Sequence, residues 1–133
     1  MPIYTCTSAQ GTLTAESKPA LAAEITRIHA DINKVPPTYV NVTFAELPPD
    51  DVFAGGVPGR PLIITGWARR GHPAEAVTRL ALELASAAAR ISGVDERHIM
   101  VVIQDSPAQS AVEGGRVLPE PGQEEEWLRQ AAT

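Results

Sequence analysis

The feature that most constrains this chain is an internal repeat. Shifting the sequence by 59 places lays Pro2 on Pro61, Leu21 on Leu80, Ile25 on Leu84 and Ile32 on Ile91. The same shift carries Val40, Val42 and Phe44 onto Ile99, Val101 and Ile103, then Pro48 onto Pro107 and Gly55-Gly56 onto Gly114-Gly115. One offset serving every segment is hard to obtain by chance, so the chain reads as a tandem duplication.

The repeated unit reads as strand, helix, strand. Pro2 to Thr7 has strand character, with Ile3, Tyr4 and several β-branched residues. Gln10-Gly11 turns the chain, and Thr14 is the expected N-cap of a helix to about Asn33. Leu21, Ile25, Ile28 and Ile32 form its apolar stripe, and Pro19 is early enough to bend the first turn without ending it. His29 is about 100° round the helix from Ile28, on the flank of that stripe. Val40, Val42 and Phe44 then alternate with Tyr39, Asn41 and Thr43, as in a strand with two unlike faces. The proline- and glycine-rich stretch 46–60 reads as a long loop or short ribbon. In the second unit a strand begins at Pro61 and ends at Arg69, and Pro73 opens a helix that Gly93 closes after Ile91-Ser92. A third apolar strand covers His98 to Gln104, with Pro107 beyond it. Residues 110–119 read as a small hairpin, and Pro121 to Ala132 as a short terminal helix with Trp127 and Leu128 as packing anchors.

Two right-handed βαβ crossovers put both helices on one face of a four-stranded mixed sheet. The expected fold is therefore α+β, a single domain over 1–133, with one repeat at about 2–59, the other at about 61–117, and the C-terminal hairpin and helix added. The uncovered sheet face predicts an oligomer.

At 133 residues and 14.1 kDa the chain builds one core. A net charge of −5 and a pI near 5.1 exclude a general nucleic-acid surface, which needs a basic stripe. Cys6 is the single cysteine, so there is no internal disulfide; it is expected to pack in its strand. No apolar run approaches a membrane span and no leader pattern opens the chain, so a cytoplasmic protein is expected.

The densest positive stretch, Arg69-Arg70-Gly71-His72, points to a small anion. If Met1 is trimmed, Pro2 becomes a chain-terminal secondary amine, which burial beside cations turns into a base near neutral pH. His29 and Glu113 complete the candidates. Taken singly, each has a duller explanation: a proline at an ordinary position, a surface helix histidine, a solvated strand end, a hairpin charge. No P-loop, dinucleotide fingerprint, HExxH or nucleophile elbow is present.

The duplicated unit opening with Met1-Pro2 resembles the tautomerase superfamily, and within it the cis-3-chloroacrylic acid dehalogenase group. The resemblance runs through Glu24-Ile25-Thr26 and His29, Asp51-Val52-Phe53-Ala54-Gly55-Gly56-Val57, His98-Ile99 and Pro107-Ala108-Gln109. It continues through Val112-Glu113, Gly115-Arg116, Leu118-Pro119, Pro121-Gly122 and Glu126-Trp127. It implies a homotrimer without cofactor or metal, using its terminal proline on small unsaturated or enolic carboxylates. Pro2, His29, Arg69 and Glu113 fall on residues the dehalogenases use; the family's second arginine is His72 here, with Arg70 close by, and its water-handling tyrosine is Val102.

Those two departures weaken dehalogenation, since losing a positioned donor to a developing charge costs on the order of 10²–10³ in rate. The expected activity is therefore keto-enol tautomerisation of small 2-oxo carboxylates. Pro2 acts as the acid/base and Glu113 is ancillary, while Arg69, His29, Arg70 and His72 bind the carboxylate and Val102 enlarges the apolar lining. The alternatives are a weak cis-3-haloacrylic acid dehalogenase or hydratase, and a non-catalytic binding protein on the same scaffold.

Overall fold

The computed structural model describes residues 2–131. Strand β1 (Ile3–Ala9), helix α1 (Ser17–Asn33) and strand β2 (Asn41–Leu47) are followed by a two-residue ribbon, β3 (Phe53–Ala54) with β4 (Val57–Pro58). The second half repeats this order with β5 (Leu62–Arg69), α2 (Ala74–Ser92), β6 (Ile99–Ser106), and a ribbon of β7 (Val112–Glu113) with β8 (Arg116–Val117). Helix α3 (Glu124–Ala131) is added after it. The main sheet runs β2-β1-β5-β6, parallel within each outer pair and antiparallel at its centre. The fold is the expected α+β arrangement of a mixed four-stranded sheet with helices.

Local chemistry explains the helix ends. Thr14 Oγ1 accepts the Ser17 N–H at 3.0 Å, and Ser17 Oγ accepts the Thr14 N–H at 2.7 Å. This reciprocal pair is a capping box, so Thr14 caps α1 as expected. At the other end Lys34 (φ 56°) takes the left-handed conformation that Gly93 (φ 77°) takes after α2. Equivalent turns thus stop both helices 59 residues apart.

The single offset fails in one place. Ile3 lies opposite Asn41 in β2, whereas Met100, the 59-shifted partner of Asn41, lies opposite Ile63. The first strand therefore superposes on β5 with a shift of 60, which matches buried Tyr4 with Ile64 and Cys6 with Gly66. A shift of 59 would match exposed Ile3 with buried Leu62, because slipping a strand by one residue turns every side chain to the other face. Pro2 accordingly corresponds to Leu62 and not to Pro61.

One face of the sheet packs Tyr4, Cys6, Leu62 and Ile64 against Leu21, Ile25, Ile28, Leu80 and Leu84, and Cys6 lies within this core. Burial pushes its thiol up to about 12, so it stays protonated. The opposite face shows Ile3, Met100 and Val102 exposed.

Two other expectations are corrected. Tyr39 is not the first outward residue of a strand but part of a short turn, Pro37–Tyr39, buried with Val35, Ala108 and Leu118. In α3, Trp127 is an anchor: its indole N–H donates to the Val117 carbonyl at 2.8 Å, and Arg116 stacks 4.1 Å from the ring centroid. Leu128, on a short and mostly polar helix, is exposed. Among the described residues no helix is long and apolar enough to cross a membrane.

Candidate active site

Pro2 is buried at the head of β1, and its carbonyl accepts the Asn41 N–H at 3.1 Å. Ile3 pairs with Trp67 in the antiparallel centre of the sheet, so continuing that register brings Pro2 opposite Ala68, beside Arg69. Met1 lies outside the described residues.

His29, on the flank of the α1 apolar stripe, is not a surface residue: it is 2% exposed. Its Nδ1 lies 2.7 Å from the Tyr4 hydroxyl, and its Nε2 lies 3.1 Å from Asn33 Nδ2. Because an amide nitrogen only donates, Nε2 accepts, the ring proton sits on Nδ1, and Tyr4 oxygen accepts it. Burial, reinforced by surrounding positive charge that includes Arg69, pushes the imidazole down to about 3. Burial also raises the Tyr4 phenol, so both groups stay neutral near pH 7. A buried histidine whose two nitrogens are occupied internally braces the start of β1; it does not present a cation.

Gly66 makes this contact sterically feasible. A Cβ built there would stand 2.4 Å from Tyr4 Cε1 and 3.1 Å from Ile103 Cδ1. Gly66→Ala is therefore expected to destabilise the fold by about 1–3 kcal/mol, the usual cost of overpacking a core. Urea denaturation at pH 7 measures it, and an unchanged midpoint would mean that the Tyr4 ring is not seated against this residue.

Arg69 is 5% exposed. Its Nη1 donates to the Pro119 carbonyl at 2.7 Å, and its Nη2 donates to Glu124 Oε1 at 2.7 Å. Burial alone would raise the Glu124 carboxyl, but hydrogen bonds from Arg69 and the Gly122 N–H hold it below the usual range. His72 lines an enclosed cavity of about 20 Å³ with Asn33, Arg69 and Asp105. Its imidazole is pushed down by burial and by Arg69, partly offset by Glu124. Arg70 points elsewhere, donating to Asp105 at 3.0 Å in an exposed ion pair.

Glu113, on β7, is exposed at an open hollow of about 360 Å³ shared with Ile3, Asn41, Trp67 and Leu118. Val102 is exposed on the bare sheet face and is not among the residues lining the Glu113 hollow. It therefore does not widen the Glu113 hollow within this chain. Tyr39, packed near Trp67 and Leu118, has its phenol raised by burial and then by the charge of Glu124, opposed by Arg69, and by Glu113. Among the described residues no group of three or more His, Cys, Asp or Glu is placed to hold a metal ion.

Tyr4, Asn33 and Glu124 were not among the expected site residues. Tyr4 had a usable signal, because it shares a strand face with Pro2 two residues earlier. Asn33 had one too, four residues after His29 on the same helix. Glu124 had none, since only the tertiary fold brings α3 to β5.

The family model described as "Putative oxalocrotonate tautomerase enzyme" matches residues 1–132. The chain belongs to the tautomerase superfamily. Within it, the chain is similar to N1, a member of the cis-3-chloroacrylic acid dehalogenase family. The two are 30% identical, with 98% of this chain and 94% of N1 covered at a TM-score of 0.92. Native Ps01740 is 32% identical over 84% of this chain and 99% of its own, with a TM-score of 0.82. A wild-type fused 4-OT described as a symmetric trimer is 21% identical over 87% of this chain and 94% of its own, with a TM-score of 0.81, and shares the fold. No curated protein sequence matches this tautomerase-superfamily chain.

Proposed function

We propose that the protein is a cofactor-independent tautomerase that converts the enol form of small 2-oxo carboxylates into the keto form. The observation that carries this reading is a buried guanidinium, Arg69, beside the strand start where Pro2 is buried. With Met1 removed, the neutral Pro2 nitrogen takes the proton from the C2 hydroxyl of the enol. Negative charge then develops over the C2 oxygen and C3, and Arg69 stabilises it while holding the carboxylate. The prolinium returns the proton to C3, which completes the isomerisation without a net gain or loss of atoms.

The other candidates take smaller roles. His29 acts through Tyr4, because neither ring nitrogen is free for substrate. His72 borders the Arg69 side as a neutral group, Glu113 marks the open hollow, and Arg70 stays outside the pocket in its pair with Asp105. The exposed Ile3, Met100 and Val102 on the bare sheet face support a homotrimer, the state described for the fused 4-OT neighbour.

The test is ketonisation of phenylenolpyruvate, followed by ultraviolet absorbance, beside halide release from a cis-3-haloacrylate. Ketonisation well above the buffer rate is expected. Halide release should be at least about 10²-fold less efficient, because no tyrosine hydroxyl stands at position 102 to help Glu113 hold water. Ketonisation no faster than buffer would overturn the proposal, and efficient halide release would favour the dehalogenase.

A further inference from the structure

The guanidinium assigned to substrate binding is not loose. Arg69 and Glu124 form an ion pair at 2.7 Å, with side chains only 4% and 14% exposed. Glu124 is fixed in turn, since its carboxylate accepts the Gly122 N–H with Oε2 at 3.0 Å. On the other side, Arg69 Nη1 is tied to the Pro119 carbonyl. Two of the five guanidinium N–H groups are thereby spent on the segment that leads into α3. Arginine has a long, rotamer-rich side chain, so fixing its plane before a carboxylate arrives removes an ordering cost from binding.

We propose that Glu124 is a positioning residue for the substrate carboxylate: it holds the Arg69 guanidinium in its binding orientation and so makes α3 part of the active site. This rests on the reading of Arg69 as the carboxylate anchor. Glu124 touches no reacting atom, and its influence is on binding before the chemical step. A competing arrangement, in which the Glu124 carboxylate occupies the substrate's place and must be displaced, predicts the opposite sign.

The experiment is steady-state ketonisation of phenylenolpyruvate by wild type, Glu124→Ala, Glu124→Gln, Arg69→Ala and the Arg69→Ala/Glu124→Ala double variant. Misplacing a positioning group by about 1 Å commonly costs up to ~10² in efficiency. Glu124→Ala is therefore expected to raise KM by about 10- to 100-fold with kcat nearly unchanged. Glu124→Gln, which keeps an oxygen acceptor for Arg69, should raise KM by only about 3-fold, and it decides the matter if the alanine variant does not fold. In the Arg69→Ala background, Glu124→Ala should change KM no further, because the two residues act as one unit. A KM that is unchanged or lowered by both Glu124 substitutions overturns the inference, as does the same rise in KM when Arg69 is already absent. If Arg69→Ala itself leaves KM at the wild-type value, the carboxylate-anchor reading fails and the inference falls with it.

Discussion

Pro2→Ala lowers kcat/KM for ketonisation of phenylenolpyruvate by about 10²-fold or more, with the fold intact. A positioned acid/base group contributes roughly 10²–10⁴ to a proton transfer. Alanine still supplies a terminal amine, but a primary one that no pyrrolidine ring holds in place, so the loss should lie at the lower end of that range. The pH profile carries a second signature. With its pKa at about 3, His29 is already neutral through the usual assay range, so an acidic limb of kcat/KM between pH 5 and 8 comes from the terminal amine or from His72, and the part that moves in Pro2→Ala belongs to the amine. That limb should persist in His29→Gln and shift in Pro2→Ala. Wild-type efficiency in Pro2→Ala would remove the requirement for a secondary amine from the mechanism.

The second large effect concerns stability. His29 titrates at about 3 in the folded protein against an ordinary 6.5, so the unfolded chain binds more protons between those values. Its contribution is fully present above about pH 6.5 and is lost progressively as pH falls toward 3. Between pH 7 and pH 5 the loss should be about 2 kcal/mol, from 1.36 kcal/mol per pH unit below the unfolded pKa. His72 is shifted in the same direction and adds to the slope. Glu24, Asp95 and Glu124, whose pKa values are lowered from 4.5, 3.8 and 4.5, act mainly below pH 5. Urea unfolding of wild type and His29→Gln at pH 7 and pH 5 measures the difference. The variant should keep only the smaller slope due to His72, whereas parallel slopes would place a charged imidazole in the folded state.

The duplication was legible because helices and strands repeat their apolar positions, and the caps at Thr14 and Gly93 could be read directly from residue chemistry, while Pro73, expected as the first helical residue, stands one place before α2. The register of β1 was not, because Pro2 over Pro61 is an attractive match in letters, whereas face assignment depends on pairing with β2 and β6. The same limit governed the candidate site. Pro2, Arg69 and Glu113 were readable as residue types, but their surroundings were set by contacts distant in sequence. Tyr4 and His29 are 25 positions apart and Arg69 and Glu124 are 55 apart, so the surface reading of His29 gave way to a buried histidine and a strand-end arginine became a buried ion pair. Arg70 shows the reverse: its neighbour enters the interior while it reaches Asp105 across the surface.

The central claim is a free, neutral Pro2 nitrogen facing a carboxylate-binding pocket. Intact-mass and peptide mass spectrometry after incubation with 2-oxo-3-pentynoate, an electrophilic acetylenic 2-oxo acid, tests it most directly. The predicted result is a chain lacking Met1 that carries one adduct on Pro2, with labelling slowed in Arg69→Ala. A retained Met1, or an adduct placed elsewhere while Pro2 stays unmodified, would contradict it.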